Sequence, residues 1–122
     1  MATIKSYTDL EQSKKLAKIL PLESADMYYD GFGRLPQGYA YTLISPNSFE
    51  YDKPCWSLAT LLNVLPDTIT SNDGIVFKLN IKKNIIEYSN PSLYLVYKSV
   101  KADNLIDACY EMIIRLNELK ML

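Results

Sequence analysis

Residues 75–100 read IVFKLNIKKNIIEYSNPSLYLVYKSV. Ile75, Phe77, Leu79 and Ile81 alternate with Val76, Lys78, Asn80 and Lys82, the period of two that gives a strand one apolar face. Lys82-Lys83-Asn84 can reverse the chain into a second strand over 85–88. Ser89-Asn90-Pro91-Ser92 then turns it into a third over 93–100. Three successive strands with short links imply an antiparallel meander. A sheet with one apolar face needs a cover, and the next segment supplies it. Asp103 or Asn104 opens a long helix in which Leu105, Cys109, Met112, Leu116 and Leu119 form a stripe, widened by Ile106 and Ile113.

Upstream, Thr8 and Glu11 stand in capping-box spacing and predict a helix over 9–19 that Pro21 stops. Residues 26–29 predict a short strand. Gly31, Gly33, Pro36 and Gly38 mark a turn-rich loop, and 39–44 a second strand. Residues 49–53 read as loop. A helix over 54–65 follows from Leu58, Leu61, Leu62 and Leu65, and Pro66 ends it. Two starts compete. Asp52 can cap it with Pro54 in the first turn, or Ser57 can cap it with Trp56 stapled onto Leu61. The longer helix is preferred, because eight residues make a marginal helix. The expected fold is α+β, a single domain over 1–122. Its element order is α-β-β-α-β-β-β-α, a mostly antiparallel sheet with helices packed on one face.

Composition narrows the chemistry. The chain has 122 residues, 48% apolar and 22% charged, with a formal net charge of −1. These are ordinary values for a folded domain and give no field that would gather nucleic acid or an anionic membrane. Met1–Lys15 lacks the apolar run of a secretory signal, and no stretch approaches the length of a transmembrane helix, so the expected location is cytoplasmic with no membrane partner. Cys55 and Cys109 are far apart and suit buried free thiols in a reducing compartment. There is no histidine. Ser-His-Asp and Cys-His mechanisms within one chain are therefore excluded, as are the usual zinc sites.

Several blocks carry a resemblance: Glu11-Gln12-Ser13-Lys14-Lys15-Leu16, Ser24-Ala25-Asp26-Met27, Pro54-Cys55-Trp56-Ser57-Leu58 with Leu65-Pro66, and the closing helix from Asp107-Ala108-Cys109 to Leu119. Together they resemble a group of uncharacterised small proteins of gut Bacteroides-type bacteria and their phages or mobile elements. The similarity spans nearly the whole chain apart from 32–49. It implies a bacterial or phage cytosolic origin and no particular activity.

The oddity is tyrosine, with ten residues. Tyr28, Tyr29, Tyr39, Tyr41 and Tyr51 gather in one segment, with Phe32 and Phe49 among them. Tyrosine combines contact area with a polar tip at small entropic cost. The segment, with Trp56, therefore predicts a partner-binding face, the alternative being that these rings pack inside. Pro54-Cys55-Trp56 reads as a pocket or as a core anchor. Glu23, Asp26 and Asp30, with Glu50 and Asp52, suit a hard cation only in a spacing that matches no calcium loop. Gly31-Phe32-Gly33-Arg34 lacks the strand, helix and GK[ST] ending of a phosphate loop. Lys78, Lys82, Lys83 and Lys98 form either a basic strip or edge charges that discourage aggregation. The expected function is a small non-catalytic protein-interaction module of a bacterium or mobile element, possessing a protein partner or self-associating. The alternatives are a nucleic-acid-binding accessory protein and, third, a carboxylate- and metal-dependent enzyme. No cofactor is expected.

Overall fold

A computed structural model describes residues 5–29, 37–38 and 53–122. It shows an α+β chain with antiparallel strand pairing throughout. The elements are α1 (Leu10–Leu16), β1 (Met27–Tyr29), β2 (Gln37–Gly38), β3 (Lys53–Cys55), α2 (Leu58–Val64), β4 (Thr68–Thr70), β5 (Val76–Lys82), β6 (Ile85–Asn90), β7 (Leu95–Lys101) and α3 (Leu105–Glu118). The chain divides into two compact units, residues 6–62 and residues 63–122 together with Lys5.

The second unit is built on the expected meander, β5-β6-β7, extended by one strand to give the order β4-β5-β6-β7. Leu79 faces Tyr88 and Ile81 faces Ile86 across the first hairpin; Ile86 faces Val100 across the second. Phe77, Ile86, Tyr88 and Val100 are buried on the covered face, with Ile69 from β4 beside Phe77. Helix α3 lies against β6 and β7. Asn104 caps it, accepting from the Asp107 N–H at 2.9 Å and donating its side-chain amide to the Asp107 carboxylate at 2.9 Å. Lys5 reaches the same carboxylate at 2.9 Å. The buried stripe runs through Ile106, Ala108, Cys109, Met112, Ile113 and Leu116. It is rotated slightly from the expected one, since Leu105 is half-buried and Leu119 exposed. Strand β4 escaped the sequence reading because Thr-Ile-Thr is too short to show a period.

The first unit departs further from expectation. The cap of α1 is Asp9, not Thr8. Asp9 accepts from the Gln12 N–H at 2.8 Å, and Gln12 returns the bond to the Asp9 N–H at 3.1 Å. Thr8 is withdrawn from capping because it is bound to another segment. Its N–H donates to the Trp56 carbonyl at 3.0 Å, and its hydroxyl accepts from the Trp56 N–H at 3.2 Å. The long version of the second helix is also corrected. Residues 53–55 form a strand that pairs with β1, Tyr28 opposite Pro54, and α2 begins only at Leu58. Pro54 is tolerated there because, among the described residues, β3 stands at the edge of the order β2-β1-β3. A neighbouring strand thus overrode the preference for a longer helix. Strand β2 falls in the stretch read as a loop and pairs with β1. The strand expected at 39–44 lies outside the described residues, as do 30–36 and 45–52.

Candidate functional site

The core of the first unit is a polar knot rather than a reactive centre. Thr8 and Ser13 are buried and share a 2.8 Å hydroxyl hydrogen bond. The Tyr29 hydroxyl donates to the Thr8 carbonyl at 2.8 Å, and the Cys55 thiol approaches the same oxygen at 3.4 Å. Trp56 is fully buried, and its indole N–H donates to Ser24 Oγ at 2.9 Å. These bonds satisfy groups whose burial would otherwise be costly. Tyr29 and Trp56, two of the rings expected on a partner face, are therefore core residues and offer no contact surface. Tyr28 is half-buried. Tyr39, Tyr41 and Tyr51 lie outside the described residues.

Neither thiol has the setting of a nucleophile. Burial pushes Cys109 from 9.0 up to about 12. It also raises Cys55, only partly offset by the Thr8 and Ser13 hydroxyls. A nucleophilic cysteine needs the opposite shift. The two are free cysteines.

Asp26 has a structural task. Its carboxylate accepts from the Ser57 N–H at 2.9 Å, the Ser57 hydroxyl at 2.6 Å and the Thr60 hydroxyl at 3.2 Å. It thus ties the start of β1 to the first turn of α2, where orphan N–H groups favour an anion. Glu23 is exposed, and Asp30, Glu50 and Asp52 lie outside the described residues. Among the described residues no acidic, cysteine or histidine side chains gather as metal ligands.

The surface that stands out is one the tyrosine count did not find. Between β6 and β7 the chain makes a 3-10 turn at Pro91–Leu93. Asn90 fastens it from both sides, accepting from the Leu93 N–H at 3.1 Å and donating to the Val76 carbonyl of β5 at 3.0 Å. Tyr94 then takes a left-handed conformation, φ 55° and ψ 37°. This clamped turn holds four successive apolar residues in solvent: Leu93 is 52% exposed, Tyr94 94%, Leu95 42% and Val96 57%. Val76, whose carbonyl receives Asn90, is 46% exposed. A cleft of about 340 Å³ opens alongside, lined by Val76, Lys78, Ser89, Asn90, Pro91 and Ser92.

The lysines do not form a uniform strip. Lys82 pairs with Glu87 at 3.5 Å, and Glu87 also receives Asn80 at 3.3 Å and Ser99 at 3.5 Å. Lys78 stands by the cleft, and Lys98 lies 6.0 Å from the Tyr97 ring centre. Among the described residues no helix is long and apolar enough to cross a membrane. The signal for the exposed apolar turn was present in the sequence. Leu93, Leu95 and Tyr97 share one parity while Tyr94 and Val96 occupy the other, so no single face can bury them all. No family model, curated protein or solved structure matches the chain.

Proposed function

We propose that this chain is a protein-interaction module whose contact surface is the β6–β7 turn and the start of β7. The observation that carries this reading is the exposure of Leu93, Tyr94, Leu95 and Val96 in one rigidly clamped segment. Contiguous exposed apolar residues are costly to keep in water and commonly mark a contact with another macromolecule. The two Asn90 hydrogen bonds support it further, because a contact surface already held in one conformation loses little entropy when it binds. The Tyr94 ring, almost wholly in solvent, is the natural anchor.

The test is a quantitative pull-down in which the wild type is compared with a chain carrying Leu93→Ser, Tyr94→Ser and Val96→Ser. All three positions are solvent-exposed, so the variant is expected to keep its fold, which circular dichroism checks. The reading expects specific partners of the wild type to fall at least tenfold in recovery. Equal recovery by the two chains removes its basis.

A further inference from the structure

We propose that the outer edge of β7 takes an extended, acidic segment of a partner protein as a fifth strand. The inference rests on the interaction reading above and names the partner's chemistry. Strand β7 ends the order β4-β5-β6-β7, and among the described residues no strand pairs with its outer side. The Ala102 N–H donates inward to the Asn84 carbonyl at 3.2 Å. Alternation along an antiparallel strand then turns the N–H and C=O groups of Ser99 and Lys101 outward. An edge with such groups is a ready template for strand addition.

Charge decides which strand fits. Lys98 and Lys101 are the ionised residues of β7, which carries no carboxylate. Neither pairs with an acidic side chain among the described residues, whereas Lys82 on β5 does. A second copy of this chain is disfavoured. The full-length antiparallel register, Leu95 against Lys101, would set Lys98 directly opposite its own equivalent, and like charges facing each other across a ladder are destabilising. The edge also has a register shift at Tyr88/Ser89, which leaves Tyr97 outside the regular ladder with β6. A bulge and two lysines discourage flat, uncharged strands. The bulge interrupts the ladder for any incoming strand, but the lysines favour one with carboxylates opposite Lys98 and Lys101 and apolar residues opposite Leu95 and Val96. Read from the partner's N-terminus, that is acidic-x-x-acidic-x-apolar-apolar.

The experiment uses the full chain and two fluorescein-labelled peptides, Glu-Thr-Thr-Glu-Thr-Val-Val and the same peptide with lysine at both glutamate positions, followed by anisotropy. The wild type is expected to bind the acidic peptide at least tenfold more tightly than the basic one. Lys98→Glu with Lys101→Glu is expected to reverse that order. Ser99→Pro, which removes an outward N–H and the 3.5 Å hydroxyl contact to Glu87 but leaves the backbone bonds to β6 in place, is expected to abolish both while leaving the circular dichroism unchanged. Equal binding of the two peptides, binding of neither up to millimolar concentration, or an unreversed preference in the charge-swapped chain overturns the proposal. So does a concentration-dependent dimer in light scattering that the Lys98→Glu, Lys101→Glu chain alters. If the peptides fail while the Leu93, Tyr94 and Val96 variant still loses its partners, the strand-edge assignment falls and the interaction reading stands.

Discussion

Tyr94 adopts φ 55°, a region in which a side chain's Cβ crowds the following carbonyl. Its ring is nearly all in water and contributes little packing in return. Tyr94→Gly therefore removes the strain and loses some of that gain through a freer unfolded chain, so stability should be unchanged or rise by up to about 1 kcal/mol. The same substitution should weaken partner recovery in the pull-down. Thermal denaturation set beside the pull-down checks both, and a clear fall in melting temperature would show that the ring packs in the folded monomer. The residue scale is also where the sequence misled. A tyrosine count cannot distinguish Tyr29, whose hydroxyl is spent on the Thr8 carbonyl, from Tyr94, which is held out by a turn. Burial depends on partners distant in the chain.

At the scale of elements, α2 shows how little of a short helix's stability is its own. Seven residues make a helix that would not persist alone. Asp26, arriving from the start of β1, binds its first turn through three hydrogen bonds. Asp26→Ala leaves the Ser57 N–H and two hydroxyls without that acceptor and should cost about 2–3 kcal/mol by the usual worth of charge-assisted bonds. A urea titration measures it, and a loss below 0.5 kcal/mol would mean that solvent replaces the carboxylate. The leucine spacing made this helix legible, but its start was not. Pro54 is compatible with a first helical turn and with an edge strand alike, and only the pairing of β3 with β1 chose the strand.

Across the whole molecule, both thiols are buried, and their environment sets an alkaline limit. Cys109 is raised from 9.0 to about 12, and Cys55 is raised as well. Unfolded thiols release their protons near pH 9 while the folded chain retains them. For Cys109 the unfolded state therefore binds fewer protons between pH 9 and about 12, and stability falls as pH rises, by up to about 1.4 kcal/mol per pH unit; Cys55 acts in the same direction above pH 9. This contribution is intact below pH 9. Melting temperatures from pH 7 to 11 should drop above pH 9, less steeply in Cys109→Ala, and a thiol reagent should label neither cysteine until the chain is denatured. Rapid labelling of the native protein would contradict the burial. The sequence by itself determined the meander of β5, β6 and β7, the long helix α3 after it and the lack of histidine chemistry, because strand and helix periods and residue types are local properties. The tertiary structure alone decided that Trp56 and Tyr29 lie inside, that Asp9 rather than Thr8 caps α1 and that 53–55 is a strand. Each of these outcomes depends on which distant groups compete for the same hydrogen bond or the same place in the core, and no local pattern records that competition.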